Sequence, residues 1–347
     1  MRGLNVQTLT QIRELLSKAG LTPNKAFGQS FLIDQNLMGK LLELAELTGD
    51  QTVLEVGPGT GSLTEELLAR CRKVVAVEID RGLAGLLAGR FAAYSNFRLV
   101  QGDVLASKRT IAPAVIKELG AQANLVSNLP YNIATPLVVE CLIDSWRSKA
   151  GSGNTDYTDS EDSDEGESRM GRQDTGSQPS SHNPDNPCNP CSPSPVIGLC
   201  RFNRLTFTVQ REVADRLKAE PGSGAYGPVS IIVALLGKAV LGPPVPPTAF
   251  WPRPNVASRI VRIDFDPVAA RALADVDVLG QFLSAAFAQR RKQIGSLTHR
   301  KGLPFAQDSL TAALRDARID PGLRAQDITP HAFLAATNSL TRSIRSA

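Results

Sequence analysis

Four groups of residues have the types and spacing to bind a nucleoside and act on it. Gly57, Gly59 and Gly61 punctuate a turn, EVGPGTG, between a strand-like TVLEV and a helical SLTEELL, and glycine there lets the backbone bend sharply and approach a ligand closely. Glu78 follows about 20 residues later at the end of the next apolar run, where a carboxylate can hold both hydroxyls of a ribose. Asp103, in QGDV, closes the third run, and Asn128-Leu129-Pro130-Tyr131 directly follows the fourth. Open α/β sheets bind ligands at the carboxyl ends of their strands, so all four groups are expected to face one crevice.

The turn reads G-x-G-x-G, with Ser62 where a dinucleotide-binding turn would carry its third glycine. This version resembles the class I S-adenosylmethionine-dependent methyltransferases, in which no pyrophosphate is cradled and the loop lies under the methionine part of the cofactor. In that family an acid at the position of Asp103 hydrogen-bonds the adenine amino group. The tetrapeptide adds a second function. An adenine N6 amine is a poor nucleophile because its lone pair is delocalised into the ring. Acceptors on its two N–H groups push the nitrogen toward sp³ and free that pair. Asn128 Oδ1 and the Leu129 carbonyl are suitable acceptors, and Pro130 stiffens the turn that aims them. Tyr131 can stack on a flipped base, a contact worth about 1–3 kcal/mol, and offers a π face to the sulfonium. No general base is required, because the proton can leave after transfer, once N6 has become acidic.

The elements that position these groups follow a regular rhythm. Apolar positions predict a short helix over 7–19 and a second near 36–47. From residue 52, short apolar runs alternate with amphipathic helices over 62–70, 82–91, 111–119 and 136–146. Four β-α units in a row imply a mostly parallel sheet covered on both faces. The rhythm breaks near Ser148 and resumes at LTFTVQ (205–210), and the intervening Ser, Gly, Asp, Asn and Pro have almost nothing to bury, which reads as a disordered insertion over 148–200. A helix over 211–218, an apolar stretch over 229–241, a Pro-rich turn and an alternating strand, SRIVRIDF, complete the sheet near Asp266. Beyond it only helical spacing is seen. The expected fold is therefore α/β: a helical arm over 1–50, a doubly wound, Rossmann-like class I methyltransferase domain over 51–266, and a small all-helical domain over 267–347.

Composition narrows the class. In 347 residues, 42% hydrophobic content can fill a core, and no run approaches the ~18 apolar residues of a membrane span. The N-terminus carries Gln11 and Glu14 where a signal peptide needs an apolar stretch, so a cytoplasmic protein is expected. Five cysteines, an odd number, do not make a disulfide framework. Cys188 and Cys191 have zinc-knuckle spacing without a second C-x-x-C, and no metal is expected. The net charge of +4 averages two regions: residues 151–187 hold nine acids and two bases, leaving 36 Lys and Arg against 25 Asp and Glu elsewhere. That balance of +11 suits a polyanionic partner.

Over nearly the whole chain outside the insertion, the sequence resembles the ribosomal RNA small-subunit adenine dimethyltransferases. The resemblance rests on FGQSFL (27–32), EVGPGTG (55–61), VEID (77–80), QGDV (101–104), NLPYNIATPL (128–137), TVQREVADRL (208–217), AYGPVS (225–230), AFWPRPNVASRIVRI (249–263) and FAQRRKQI (287–294). It implies S-adenosylmethionine as cofactor, with contacts from Ser30, Leu32, Gly57, Gly59, Glu78, Asp103 and Asn128, although the family places Asn where this chain has Ser30. It implies that Phe250 sandwiches the target adenine against Tyr131, beside Asn128, Leu129 and Pro130. It also implies a substrate: two adjacent adenosines in the 3′-terminal hairpin of 16S rRNA, within the 30S subunit or its precursor, modified by a monomer. Lys25, Arg290, Arg291, Lys292, Arg300 and Lys301, with His299, are expected to contact phosphates. The competing readings are a large-subunit rRNA methyltransferase of the macrolide-resistance type, a non-catalytic ribosome-assembly factor and a dinucleotide oxidoreductase. AYGPVS and FWPRPN favour the small-subunit branch, and the tetrapeptide would be unexplained in an oxidoreductase.

Overall fold

A computed structural model describes residues 6–24, 28–107, 109–150 and 199–346. In chain order its elements are α1 (Leu9–Lys18), β1 (Phe31–Leu32), α2 (Gln35–Ala45), β2 (Thr52–Val56), α3 (Ser62–Leu68), β3 (Lys73–Glu78), α4 (Arg81–Arg90), β4 (Phe97–Gln101), β5 (Leu105–Ser107), β6 (Thr110–Ile111), α5 (Pro113–Leu119), β7 (Gln122–Asn128) and α6 (Ala134–Ala150). The second half contains β8 (Arg201–Gln210), α7 (Arg211–Leu217), α8 (Pro228–Leu236), β9 (Gly237–Val245), β10 (Phe250–Trp251), β11 (Ser258–Phe265), α9 (Pro267–Ala270), α10 (Val276–Phe287), α11 (Gln307–Asp316) and α12 (Pro330–Ser346).

Seven strands form one sheet in the order β4-β3-β2-β7-β8-β11-β9. The first five are mutually parallel, and β11 runs antiparallel to both of its neighbours. Every residue of β2 is buried, as a central strand covered on both faces requires. Its alternate residues divide between the two cores. Leu54 and Val56 join Val75, Val77 and Leu125 in one, whereas Val53 joins Val74, Ala76 and Val126 in the other. The first core continues through α6, α8 and α10 to α12, so the C-terminal helices share it with the sheet. Asp34 and Asp80 start α2 and α4 by accepting hydrogen bonds from first-turn N–H groups.

The crevice opens where strand order reverses. Backbone pairing between β2 and β7 covers only Val53–Asn124 and Leu54–Leu125. Beyond it the Ser127 hydroxyl donates to the Val56 carbonyl at 2.7 Å, so a side chain takes over the link between the two strands at their carboxyl ends.

Several boundaries differ from the expectation. The apolar stretch over 229–241 is two elements, α8 and β9, divided at Gly237, where a Cβ would lie 2.9 Å from the Asp264 carbonyl. β9 runs through Pro243 and Pro244, placed in the expected turn, because it is an edge strand whose pairing shifts register opposite Arg259–Val261. β8 starts at Arg201 rather than 205, and the β5–β6 hairpin precedes α5. Residues 148–150, counted in the insertion, are the end of α6, and Cys200 is fully buried. The rest of that insertion, with Cys188 and Cys191, lies outside the described residues. Cys71, Cys141 and Cys200 are free and buried.

Candidate active site

The glycine turn leaves β2 and enters α3. Gly59 and Gly61 have φ of 62° and 84°, and a Cβ on them would lie 2.7 Å from the Phe31 ring and 2.5 Å from the Phe91 ring. Both left-handed geometry and close packing therefore demand glycine. Glu78, at the end of β3 and 4% exposed, accepts from Gly59 N at 3.3 Å and Asp80 N at 3.0 Å. Burial raises its pKa, against the pull of these backbone donors. Asp103 is exposed at the cavity wall and accepts from Leu105 N at 2.9 Å. One cavity is lined by Ser30, Leu32, Gly57, Gly59, Glu78 and Asp103, and by all four residues from Asn128 to Tyr131. The structure thus brings together every predicted cofactor contact and the tetrapeptide.

Asn128 ends β7 with its amide held at both ends. Its Nδ2 donates to the Ser30 carbonyl at 2.9 Å, and its Oδ1 accepts from the Thr208 hydroxyl. The Ser30 hydroxyl donates to the Pro252 carbonyl at 3.0 Å, so Ser30 ties β7 to the loop after β10. Pro130 packs on the glycine turn, 3.0 Å from where a Gly57 Cβ would sit. Tyr131 is half-buried, its hydroxyl 2.8 Å from that of Ser258, and burial raises its pKa.

Residues not singled out from sequence line or brace the cavity. Glu55 is fully buried beside the cavity, accepts from the Thr64 hydroxyl at 2.7 Å and has its pKa pushed up to about 8, first by burial and further by the nearby Glu78 charge. Gln7 clamps the N-terminal arm onto the turn: its amide donates to the Thr60 carbonyl at 3.2 Å and accepts from the Thr60 hydroxyl at 2.6 Å, while its backbone N–H donates to Ser62 Oγ at 3.0 Å. Phe31, on the cavity wall, stacks on Trp251 with centroids 6.2 Å apart, and the Arg13 guanidinium lies over Trp251 at 5.2 Å. In sequence, the one available signal for Glu55 was its place in EVGPGTG; Gln7 is 53 positions from its partner and carried none.

Phe250 sits in the core. It is 3% exposed and belongs to the core cluster that includes Leu32, Val245, Ala249 and Ile260, not to the cavity wall. Side chains alternate along β10, so Phe250 turns inward while Trp251 is half-buried. The predicted cations among the described residues do not line the cavity. Arg290 donates to the Tyr226 carbonyl at 2.6 Å, while Arg291 and Lys292 are exposed after α10 and Arg300 and Lys301 are exposed after the 3₁₀ turn Ile294–His299. Lys25 lies outside the described residues. Among the described residues, no group of His, Cys, Asp and Glu could hold a metal, and no helix is long and apolar enough to cross a membrane.

Comparison with known proteins agrees with this geometry. A family model described as "Ribosomal RNA adenine dimethylase" matches residues 20–342. The chain is 33% identical over 337 residues to the Ribosomal RNA small subunit methyltransferase A of Phenylobacterium zucineum, covering 97% of this chain and 94% of that protein. It is 30% identical over 341 residues to the protein of the same name from Geobacillus thermodenitrificans, covering 97% of each. In fold it is similar to a dimethyladenosine transferase from Plasmodium falciparum (TM-score 0.61, 19% identity, 90% and 98% of the two chains). It is similar also to the 23S rRNA methyltransferase ErmE (TM-score 0.53, 22% identity, 90% and 99%). The chain belongs to the ribosomal RNA adenine dimethylase family.

Proposed function

We propose that the protein dimethylates N6 of two adjacent adenosines in the 3′-terminal hairpin of 16S rRNA, within the 30S subunit or its precursor, and so takes part in small-subunit biogenesis in the cytoplasm. The observation that carries this reading is the position and orientation of the Asn128 amide, which lines the same cavity as Glu78 and Asp103 with its nitrogen end already engaged by Ser30.

The donor set fits S-adenosylmethionine. Glu78 offers a buried carboxylate, oriented by two backbone N–H groups, to the ribose hydroxyls, and Asp103 offers an exposed one to the adenine amine. The left-handed turn at Gly59 and Gly61 leaves backbone, not side chain, under the methionine part. Bound there, the cofactor supplies an activated methyl group. Asn128 Oδ1 and the Leu129 carbonyl accept the two N–H groups of the target amine, and Tyr131 supports the base face. After one transfer a single N–H remains, so the monomethylated amine rotates and rebinds through one acceptor before the second.

The exposed Arg291, Lys292, Arg300 and Lys301, on a C-terminal helical domain over 267–347, hold rRNA phosphates and position the hairpin without reading its sequence. The protein acts as a monomer. Incubating it with labelled S-adenosylmethionine and unmethylated 30S or 50S particles tests the substrate. Label at adjacent adenosines of 16S rRNA is expected. Label in 23S rRNA would move the protein to the large-subunit branch, and cofactor binding without label on either particle would favour a non-catalytic assembly role.

A further inference from the structure

We infer that Thr208 is a positioning residue that sets which end of the Asn128 amide meets the target amine. The inference deepens the adenine-clamp reading and rests on it. Parallel pairing of β7 with β8 places Asn128 and Thr208 directly in register, and Thr208 is fully buried. A side-chain amide fits a site either way round, but the two choices are chemically opposite. The oxygen end accepts an N–H of the target, whereas the NH₂ end would set donor against donor.

Both ends of the amide are specified here. The Ser30 carbonyl can only accept, so it takes Nδ2, and the Thr208 hydroxyl then donates to Oδ1. The two anchors have different origins. Ser30 belongs to the segment leading into the two-residue strand β1, whereas Thr208 lies within a ten-residue strand between β7 and β11. Thr208 is therefore the anchor supplied by the central sheet. It occupies one lone pair of Oδ1 and leaves the second for the substrate. A misoriented or loosely held acceptor costs catalysis far more than cofactor binding, which the other cavity contacts share, because geometry around the attacking nitrogen is what the amide oxygen provides.

Thr208→Val keeps the shape and removes the donor. Its kcat for methyl transfer is expected to fall about 10- to 100-fold, with KM for S-adenosylmethionine within about twofold of native, and Thr208→Ser is expected to recover most of the loss. If the valine variant proves unstable, Thr208→Ala and Thr208→Ser lack the same methyl group and differ by the hydroxyl. Alanine is then expected to be at least about tenfold slower than serine. Native turnover in Thr208→Val, or equal turnover in the alanine and serine variants, together with an inactive Asn128→Ala, would overturn the positioning role and leave the clamp standing. Native turnover in Asn128→Ala would overturn both.

Discussion

The hydroxyl of Tyr131 meets the hydroxyl of Ser258 at 2.8 Å, and Ser258 is fully buried at the start of β11. The antiparallel strand β11 thus holds the side chain that ends the tetrapeptide following the parallel strand β7. If the ring supports the base and the hydroxyl only anchors the ring, the two parts separate by mutation. Tyr131→Ala is expected to lose about 10- to 100-fold in kcat/KM for RNA, in line with about 1–3 kcal/mol of stacking. Tyr131→Phe and Ser258→Ala should each lose less than about fivefold. Steady-state kinetics on 30S particles decide the matter, and equal losses in Tyr131→Phe and Tyr131→Ala would assign the hydroxyl a chemical part.

In the proposed function Glu78 addresses the cofactor alone. Glu78→Gln retains an acceptor for the Gly59 N–H but loses the charge proposed to grip the ribose hydroxyls. S-adenosylhomocysteine affinity by calorimetry is expected to fall about 10- to 100-fold, while RNA affinity stays native. Unchanged cofactor affinity would place the ribose elsewhere.

The buried carboxyls predict a pH dependence of stability with a definite sign. Glu55 is pushed up from 4.5 to about 8 by burial, Glu140 from 4.5 to about 7 and Asp144 from 3.8 to about 6, again chiefly by burial. Between the ordinary and the raised values the folded protein holds protons that the unfolded chain has released. Stability is therefore greatest at the acidic end of this window, falls as pH rises through it and levels off above about pH 8. Glu55 contributes at most about 1.4 kcal/mol per pH unit within its range. Thermal melts of Glu55→Gln and native protein should diverge in the variant's favour from pH 5 to pH 9, and a gap independent of pH would contradict the assignment.

Much of this architecture is legible in the sequence because buried parallel strands spell continuous apolar runs, as TVLEV and KVVAVE do, and because the glycine turn, Glu78 and Asp103 fall at strand ends. What sequence could not convey depends on partners distant along the chain. Pro243 and Pro244 read as a turn until the sheet order makes β9 an edge. Phe250 and Trp251 are adjacent aromatics, and which one turns inward depends on the pairing of β10 with β1. Thr208 is an ordinary strand threonine until β8 settles beside β7 and brings it to a residue 80 positions away. Local chemistry was therefore readable, whereas the supports that orient it required the register.

Activation of an adenine amine by Asn128 is put to the test by single-turnover methyl transfer by Asn128→Ala and native protein on unmethylated 30S particles. Digested 16S rRNA would be read by mass spectrometry, with particle binding measured in parallel. N6,N6-dimethyladenosine is expected at adjacent positions from the native enzyme, and the variant is expected to bind within about threefold of native but to react at least about 100-fold more slowly. Dimethyladenosine formed by Asn128→Ala at the native rate would contradict it.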